Sequence, residues 1–248
     1  MSKKNRIRLF AYEPLEDGCI YTCSSDQSHY LSNVMRQNVG DEIFLFDGQN
    51  GEFRAHISKI SKKEILLQVS EKVFNFEKVP DIWLLFAPVK KENTDIIVQK
   101  AVELGVSKLL PIKTEYTIIS QIKKERTLSQ IIEAAEQSRR QDIPLLENLK
   151  TLEETLSSWD HSRKLIFLDE TGEGSCLNEA IYHMEEPIAF LVGPEGGFSK
   201  KELEILKKMP YTMGVSLGKR ILRSETAAIA ALSCWQAFQG DWNKKRKA

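Results

Sequence analysis

Two arginines and a carboxylate follow a glycine in one late stretch of the chain, Leu217-Gly218-Lys219-Arg220-Ile221-Leu222-Arg223-Ser224-Glu225-Thr226-Ala227-Ala228. Guanidinium forks grip phosphate groups bidentately, so arginines in a glycine-bearing loop stand apart from lysines on a solvated face. A second stretch, Leu191-Val192-Gly193-Pro194-Glu195-Gly196-Gly197-Phe198, supplies glycines where backbone must bend sharply or approach something closely. It is neither a Walker A loop, lacking the Gly-Lys-Ser/Thr ending, nor the dinucleotide fingerprint, lacking Gly-x-Gly-x-x-Gly. Alone it reads as well as a structural turn. The helix opening on Ala227-Ala228 lets backbone come close to a ligand or another helix, and the two loops together favour one small-molecule site.

Each loop follows an apolar run that reads as a strand, Ile188–Val192 and Thr212–Leu217, and precedes a helical pattern. In open α/β sheets, ligands bind at the carboxyl ends of strands. From residue 82 onward, strand candidates 82–87, 108–112, 165–168, 188–192 and 213–217 alternate with helical stretches 93–104, 126–141, 200–209 and 225–238, which predicts a mostly parallel α/β sheet. Thr94 is expected to cap the first of these helices with Gly105 just past its end. Ser199 with Glu202 reads as a capping box, and Ser224 as an N-cap. Residues 1–75 are richer in short strands. Asp41–Asp47, a Gly/Asn turn and Glu52–Ile57 form a hairpin pattern, and 63–69 reads as a further strand. One helix is expected over 28–37 with Leu31, Val34 and Met35 on one face. This first part suggests a small barrel, with 74–81 as linker. The expected domains are therefore 1–75 and 76–248.

Lys+Arg and Asp+Glu both number 35 in 248 residues, so the chain is not basic all over, although basic residues cluster locally. Clusters stand at Lys3, Lys4, Arg6 and Arg8, at Lys90 and Lys91, and at Lys123, Lys124 and Arg126, with Lys244–Lys247 in the tail. The four cysteines and four histidines are not spaced as zinc ligands, so no metal is expected, and reduced thiols suit a cytosolic protein. The N-terminus lacks the apolar core of a signal peptide, and Ile82–Val89 is too short to span a bilayer. Glu136 and Arg140 share a helix face, as do Lys100 and Glu103; by spacing alone both are surface ion pairs.

Taken together, these stretches resemble a known family. Gly193–Ser199 with Glu202 is similar to a GPEGGFSxxE motif, and 216–227 to LGxRILRxETA. Gln99–Val106, Glu133–Arg140 with Pro144, His29–Arg36, Gly40-Asp41 and Phe46–Gly48 agree in order and spacing. The resemblance is to the RsmE-type ribosomal small-subunit RNA methyltransferases of the SPOUT superfamily, and it covers nearly the whole chain. It implies an N-terminal PUA-like RNA-binding barrel and a methyltransferase domain with a deep trefoil knot. It also implies a homodimer packed through the knot, a cytoplasmic protein acting on ribosomal RNA or the small subunit, and S-adenosylmethionine as cofactor. By motif, the cofactor contacts would be Leu191, Val192, Gly193, Gly196, Leu217, Gly218, Ile221, Leu222 and Ala227, with the strand end Leu168-Asp169-Glu170 as a third ligand loop from which Leu168 and Glu170 are taken as contacts. The chain departs from its relatives at Glu115-Tyr116, where an arginine is often found, at Arg139, where a small residue is common, and at Ser224 for a frequent Thr.

The reaction implied is methylation of a uracil N3. A guanidinium would stabilise the charge developing on the imide, Arg223 first and Arg140 second, and a carboxylate, Glu225 or Glu136, would take the proton. Arg6, Arg8, Arg36, Lys90 and Lys91 would hold RNA phosphates. Two other readings stay open: a SPOUT enzyme methylating tRNA ribose 2′-hydroxyls, and a non-catalytic RNA-binding assembly factor. A nicotinamide dehydrogenase lacks its fingerprint.

Overall fold

A computed structural model describes residues 6–243, so Lys3, Lys4 and Lys244–Lys247 lie outside the described residues. The chain divides into two compact units, Met1–Lys78 with Ala135–Ile143, and Val79–Ala134 with Pro144–Ala248.

The first unit holds β1 (Arg8–Phe10), β2 (Ile20–Thr22), α1 (Ser25–His29), β3 (Glu42–Phe46), β4 (Glu52–Ile60) and β5 (Ile65–Phe74). Its sheet runs β1-β3-β4-β5-β2, with β1 parallel to β3 and the other pairs antiparallel. Strand β4 alternates, burying Phe53, Ala55 and Ile57 while exposing Arg54 and His56. Leu9 and Tyr21, from the two edge strands, reach the same core as Leu45, Phe53 and Leu67, so the sheet curls into a half-barrel around it. The 41–57 hairpin forms as its turn chemistry predicts. The helix expected over 28–37 does not run through. After α1 a π-helical turn covers Tyr30–Val34, with Met35 N–H donating to Tyr30 O at 2.9 Å. The wider turn rotates Val34 out of the predicted apolar face, and it is 58 % exposed while Leu31 is fully buried.

Residues 135–143 join this unit through Arg8. Its guanidinium donates to the carbonyls of Ala135, Glu136 and Arg140, each at 3.0 Å, and to Glu52 Oε2 at 2.7 Å. Arg6 Nη2 reaches the other oxygen, Glu52 Oε1, at 2.6 Å. Burial pulls the Arg8 guanidinium below its usual pKa, and the adjoining Glu52 carboxylate opposes that. Arg139 just past the helical residues has φ +62°, a left-handed conformation that favours glycine.

In the second unit the elements are β6 (Ile82–Phe86), α2 (Lys91–Glu103), β7 (Lys108–Lys113), α3 (Lys124–Ser138, which ends in the first unit), β8 (Leu145–Leu146), β9 (Lys150–Thr151), α4 (Leu152–Ser157), β10 (Lys164–Leu168), β11 (Ser175–Cys176), α5 (Leu177–Ala180), β12 (Ile188–Val192), α6 (Lys200–Lys208), β13 (Thr212–Ser216) and α7 (Ser224–Phe238). The sheet order is β11-β13-β10-β12-β6-β7-β8, with β9 also on β7, and every pair is parallel. Strand β12, Ile-Ala-Phe-Leu-Val, is buried at every position, as a central parallel strand covered on both faces must be. Two caps differ from expectation. Helix α2 begins at Lys91 after an N-cap at Lys90 that lends no side chain, and the Thr94 hydroxyl instead exchanges hydrogen bonds with the Val89 backbone. Arg223, not Ser224, occupies the N-cap of α7. The Ser199–Glu202 capping box of α6 is present.

Candidate active site

Strands β13, β10, β12 and β6 are neighbours in the sheet, and the loops leaving their carboxyl ends meet. The glycine loop after β12 and the late loop after β13 are bonded to each other, since the Ser224 hydroxyl donates to Gly193 O at 2.8 Å. Ser224 is the first helical residue of α7, one past the N-cap position, and its hydroxyl ties the two loops instead. The Phe198 ring lies over Gly193, where an added Cβ would stand 3.1 Å from it. Gly197 has φ +68° and an N–H donating to Pro194 O at 2.9 Å. Beside this loop, Glu202 of the α6 capping box also accepts from Glu115 N at 2.9 Å, which seats Tyr116 against Gly196, 3.3 Å from where a Cβ would be.

Two adjoining pockets result. The first is lined by Leu168, Asp169, Glu170, Val192, Gly193, Pro194, Gly197, Phe198, Val215, Leu217, Gly218, Lys219, Arg220, Ile221, Leu222, Ser224 and Ala227. The second is lined by Lys90, Asn93, Glu170, Pro194, Glu195, Ile221, Leu222 and Arg223. Among the predicted ligand residues, Leu168, Glu170, Val192, Gly193, Leu217, Gly218, Ile221, Leu222 and Ala227 line the first pocket. Leu191 and Gly196 do not: Leu191 is fully buried in the core with its strand paired on both sides, and Gly196 is exposed, with Tyr116 beside it. Spacing along a motif cannot separate a glycine that faces a pocket from its neighbour that faces a ring.

Asp169, part of the expected third ligand loop but not singled out within it, is the most telling group in the first pocket. It is 4 % exposed; Oδ1 accepts from Thr171 N and Oγ1 at 2.9 and 2.6 Å, and Oδ2 is buried without a hydrogen-bond partner. A buried acceptor left open in a pocket is poised for a ligand donor. Its place at the end of an apolar strand is visible in the sequence; its burial is not. Ile221 lines both pockets and is 79 % exposed, an apolar side chain with surface to offer a ligand.

The structure brings Arg223 and Lys90 together in the second pocket; Lys91 lines neither. Several expectations need correction. Arg8 is 5 % exposed and fully engaged by Glu52 and three carbonyls, so it cannot also grip a phosphate, and Arg6 shares the same glutamate while its guanidinium carbon lies 3.6 Å over the Phe44 ring. Arg140 is buried, with Nε and Nη2 on the two oxygens of Asp142 at 2.7 and 2.9 Å. Both residues of this pair belong to the first unit. Glu136 Oε1 accepts from Phe10 N at 2.9 Å in that same unit. Glu225 is 9 % exposed and lines neither pocket, and its Oε2 is buried without a hydrogen-bond partner. Arg36 is exposed, at φ +51°. Among the described residues there is no cluster of three or more His, Cys, Asp or Glu able to hold a metal, and no helix long and apolar enough to cross a membrane.

Residues 77–236 match the model of an RNA methyltransferase domain, and residues 24–70 that of an RNA methyltransferase PUA domain. The chain is 33 % identical over 231 residues to the ribosomal RNA small subunit methyltransferase E of Rickettsia conorii, covering 93 % of this chain and 94 % of that one. The protein of the same name from Bacillus subtilis is 27 % identical over 89 % of this chain and 91 % of its own. A crystal structure of the Neisseria gonorrhoeae ribosomal RNA small subunit methyltransferase E, bound to S-adenosylmethionine, superposes with a TM-score of 0.88 at 28 % identity, over 96 % of this chain and all of that one. Matched over nearly its full length in both sequence and fold, the chain belongs to the ribosomal RNA small subunit methyltransferase E family.

Proposed function

We propose that this protein transfers a methyl group from S-adenosylmethionine to N3 of a uracil in small-subunit ribosomal RNA. The cofactor half of this reading is carried by the first pocket, where three strand-end loops close around the open acceptor Asp169 Oδ2. S-adenosylmethionine carries an ammonium group, ribose hydroxyls and an adenine amine, and each can donate to that oxygen; Val192, Leu222, Ala227 and the glycine backbone suit its flat and aliphatic parts. Bound there, it supplies a methyl group activated by a sulfonium. The substrate half rests on the full-length match to relatives named for ribosomal RNA.

Uracil N3 lies on the Watson–Crick edge, so the target must be unpaired or turned out of its stack. The second pocket is the place for that base. Arg223 there would face the imide carbonyls, where negative charge grows as N3 loses its proton, and Lys90 a backbone phosphate. Exposed Arg36 remains available for RNA in the PUA-like unit. The same reading includes a knotted methyltransferase domain of about 76–248, a homodimer packed through the knot, and a cytoplasmic site of action beside the ribosome. A sedimentation mass of one chain would remove the dimer from it. Titration of S-adenosylmethionine by calorimetry, followed by transfer of labelled methyl to small subunits from a strain lacking this modification, tests the whole. Saturable binding and label in the RNA are expected. Absent binding would favour a non-catalytic assembly factor.

A further inference from the structure

Resting on that reading, we infer that Glu170 is the general base that removes the N3 proton. An in-line transfer puts N3 against the methyl group, at the boundary between the cofactor pocket and the base pocket. Glu170, Pro194, Ile221 and Leu222 are the residues that line both, and Glu170 alone among them carries a side chain able to accept a proton. The other carboxylates near the site are placed differently. Asp169 lines only the first pocket, Glu195 only the second, and Glu225 neither.

The Glu170 carboxylate is held where the two pockets meet. A Cβ at Gly197 would fall 1.7 Å from Glu170 Oε1, so the oxygen rests directly against the glycine loop, in space that only glycine leaves open. Among the described residues no hydrogen bond or ion pair occupies the carboxylate, and the side chain is exposed to incoming substrate. Arg223 lines the same second pocket, so base and anion stabiliser stand in one cavity. In the step, the N3–H proton passes to a Glu170 oxygen and N3 forms the new bond to the methyl carbon. The methyl–sulfur bond breaks with its electron pair left on sulfur, and the carboxylic acid later releases its proton to water.

The test is Glu170→Gln, an isosteric change at a side chain that makes no hydrogen bond or ion pair among the described residues, assayed for 3-methyluridine in single turnover from pH 6 to 10 with calorimetry of S-adenosylmethionine alongside. At neutral pH we expect the rate at saturating substrate to fall on the order of a hundred- to ten-thousandfold. The deficit should shrink as pH rises, because N3 then ionises unaided, and cofactor affinity should stay within about threefold of wild type. A lost cofactor affinity would make Glu170 a cofactor ligand and overturn the inference, as would a wild-type rate and pH profile. So would the pH-linked loss appearing in Glu195→Gln instead. A wild-type protein forming no 3-methyluridine at all overturns the function itself, which these outcomes keep distinct.

Discussion

Asp169 and Arg223 belong to adjoining pockets, and their removal should separate binding from chemistry. Asp169→Ala deletes the buried acceptor left open in the first pocket, and a hydrogen bond to a charged group contributes about 1.5–3 kcal/mol. Affinity for S-adenosylmethionine by calorimetry should drop roughly ten- to a hundredfold. Arg223→Ala should leave that affinity unchanged and cut the single-turnover rate about a hundred- to a thousandfold, the usual cost of removing one oxyanion donor. Equal losses of both quantities in either variant would contradict this division. Arg223 stands out in the sequence through the glycine-bearing loop that carries it. Arg8 and Arg140 read there as functional cations too, because a sequence shows a charge but not its partner: Glu52 lies 44 residues from Arg8, and only the folded sheet brings them together.

Elements meet where buried charges tie them. Glu52 holds Arg8 on β1 from β4, with both side chains at most 4 % exposed. Glu52→Gln leaves the guanidinium buried without its counter-charge and should destabilise the protein by about 3–5 kcal/mol in urea unfolding. Two aspartates anchor other elements. Burial alone would raise the Asp47 pKa, but hydrogen bonds from the backbone N–H groups of Asn50, Leu15 and Gln49 and the Asn50 amide outweigh it and hold it below its ordinary value. Asp81, where burial is likewise outweighed by the Arg163 guanidinium with help from Ser107 and Trp83, is also lowered. Because both folded pKa values lie below the unfolded value of about 3.9, their stabilisation is complete well above that pH and fades as pH falls through it. The urea midpoint should therefore hold steady from pH 7 to 5 and decline below about 4; a flat midpoint down to pH 3 would contradict the assignment. The strands of the parallel sheet and the α6 capping box are legible in the sequence because apolar runs and capping chemistry are local. The π turn at Tyr30–Val34, the two-residue strands β8, β9 and β11 and the true caps of α2 and α7 are not: a wider turn keeps the apolar spacing of an α-helix, two residues are too few to show a period, and α2 and α7 begin after Lys90 and Arg223, which lend no capping side chain.

At the scale of the whole molecule, a chain with no net charge joins a curled PUA-like unit to a parallel-sheet methyltransferase unit, and both match RNA methyltransferase models. Specific RNA chemistry here does not require a basic protein, only basic groups where the backbone passes and a pocket where one base is read. The relatives that match over nearly the full length are named for ribosomal RNA of the small subunit. The most direct measurement treats small subunits and naked ribosomal RNA from a strain lacking this modification with protein and S-adenosylmethionine, digests the RNA and identifies the modified nucleoside by mass and retention. 3-Methyluridine at a single site is the expected product. A 2′-O-methylated nucleoside, or no methylated product with either substrate, would contradict it.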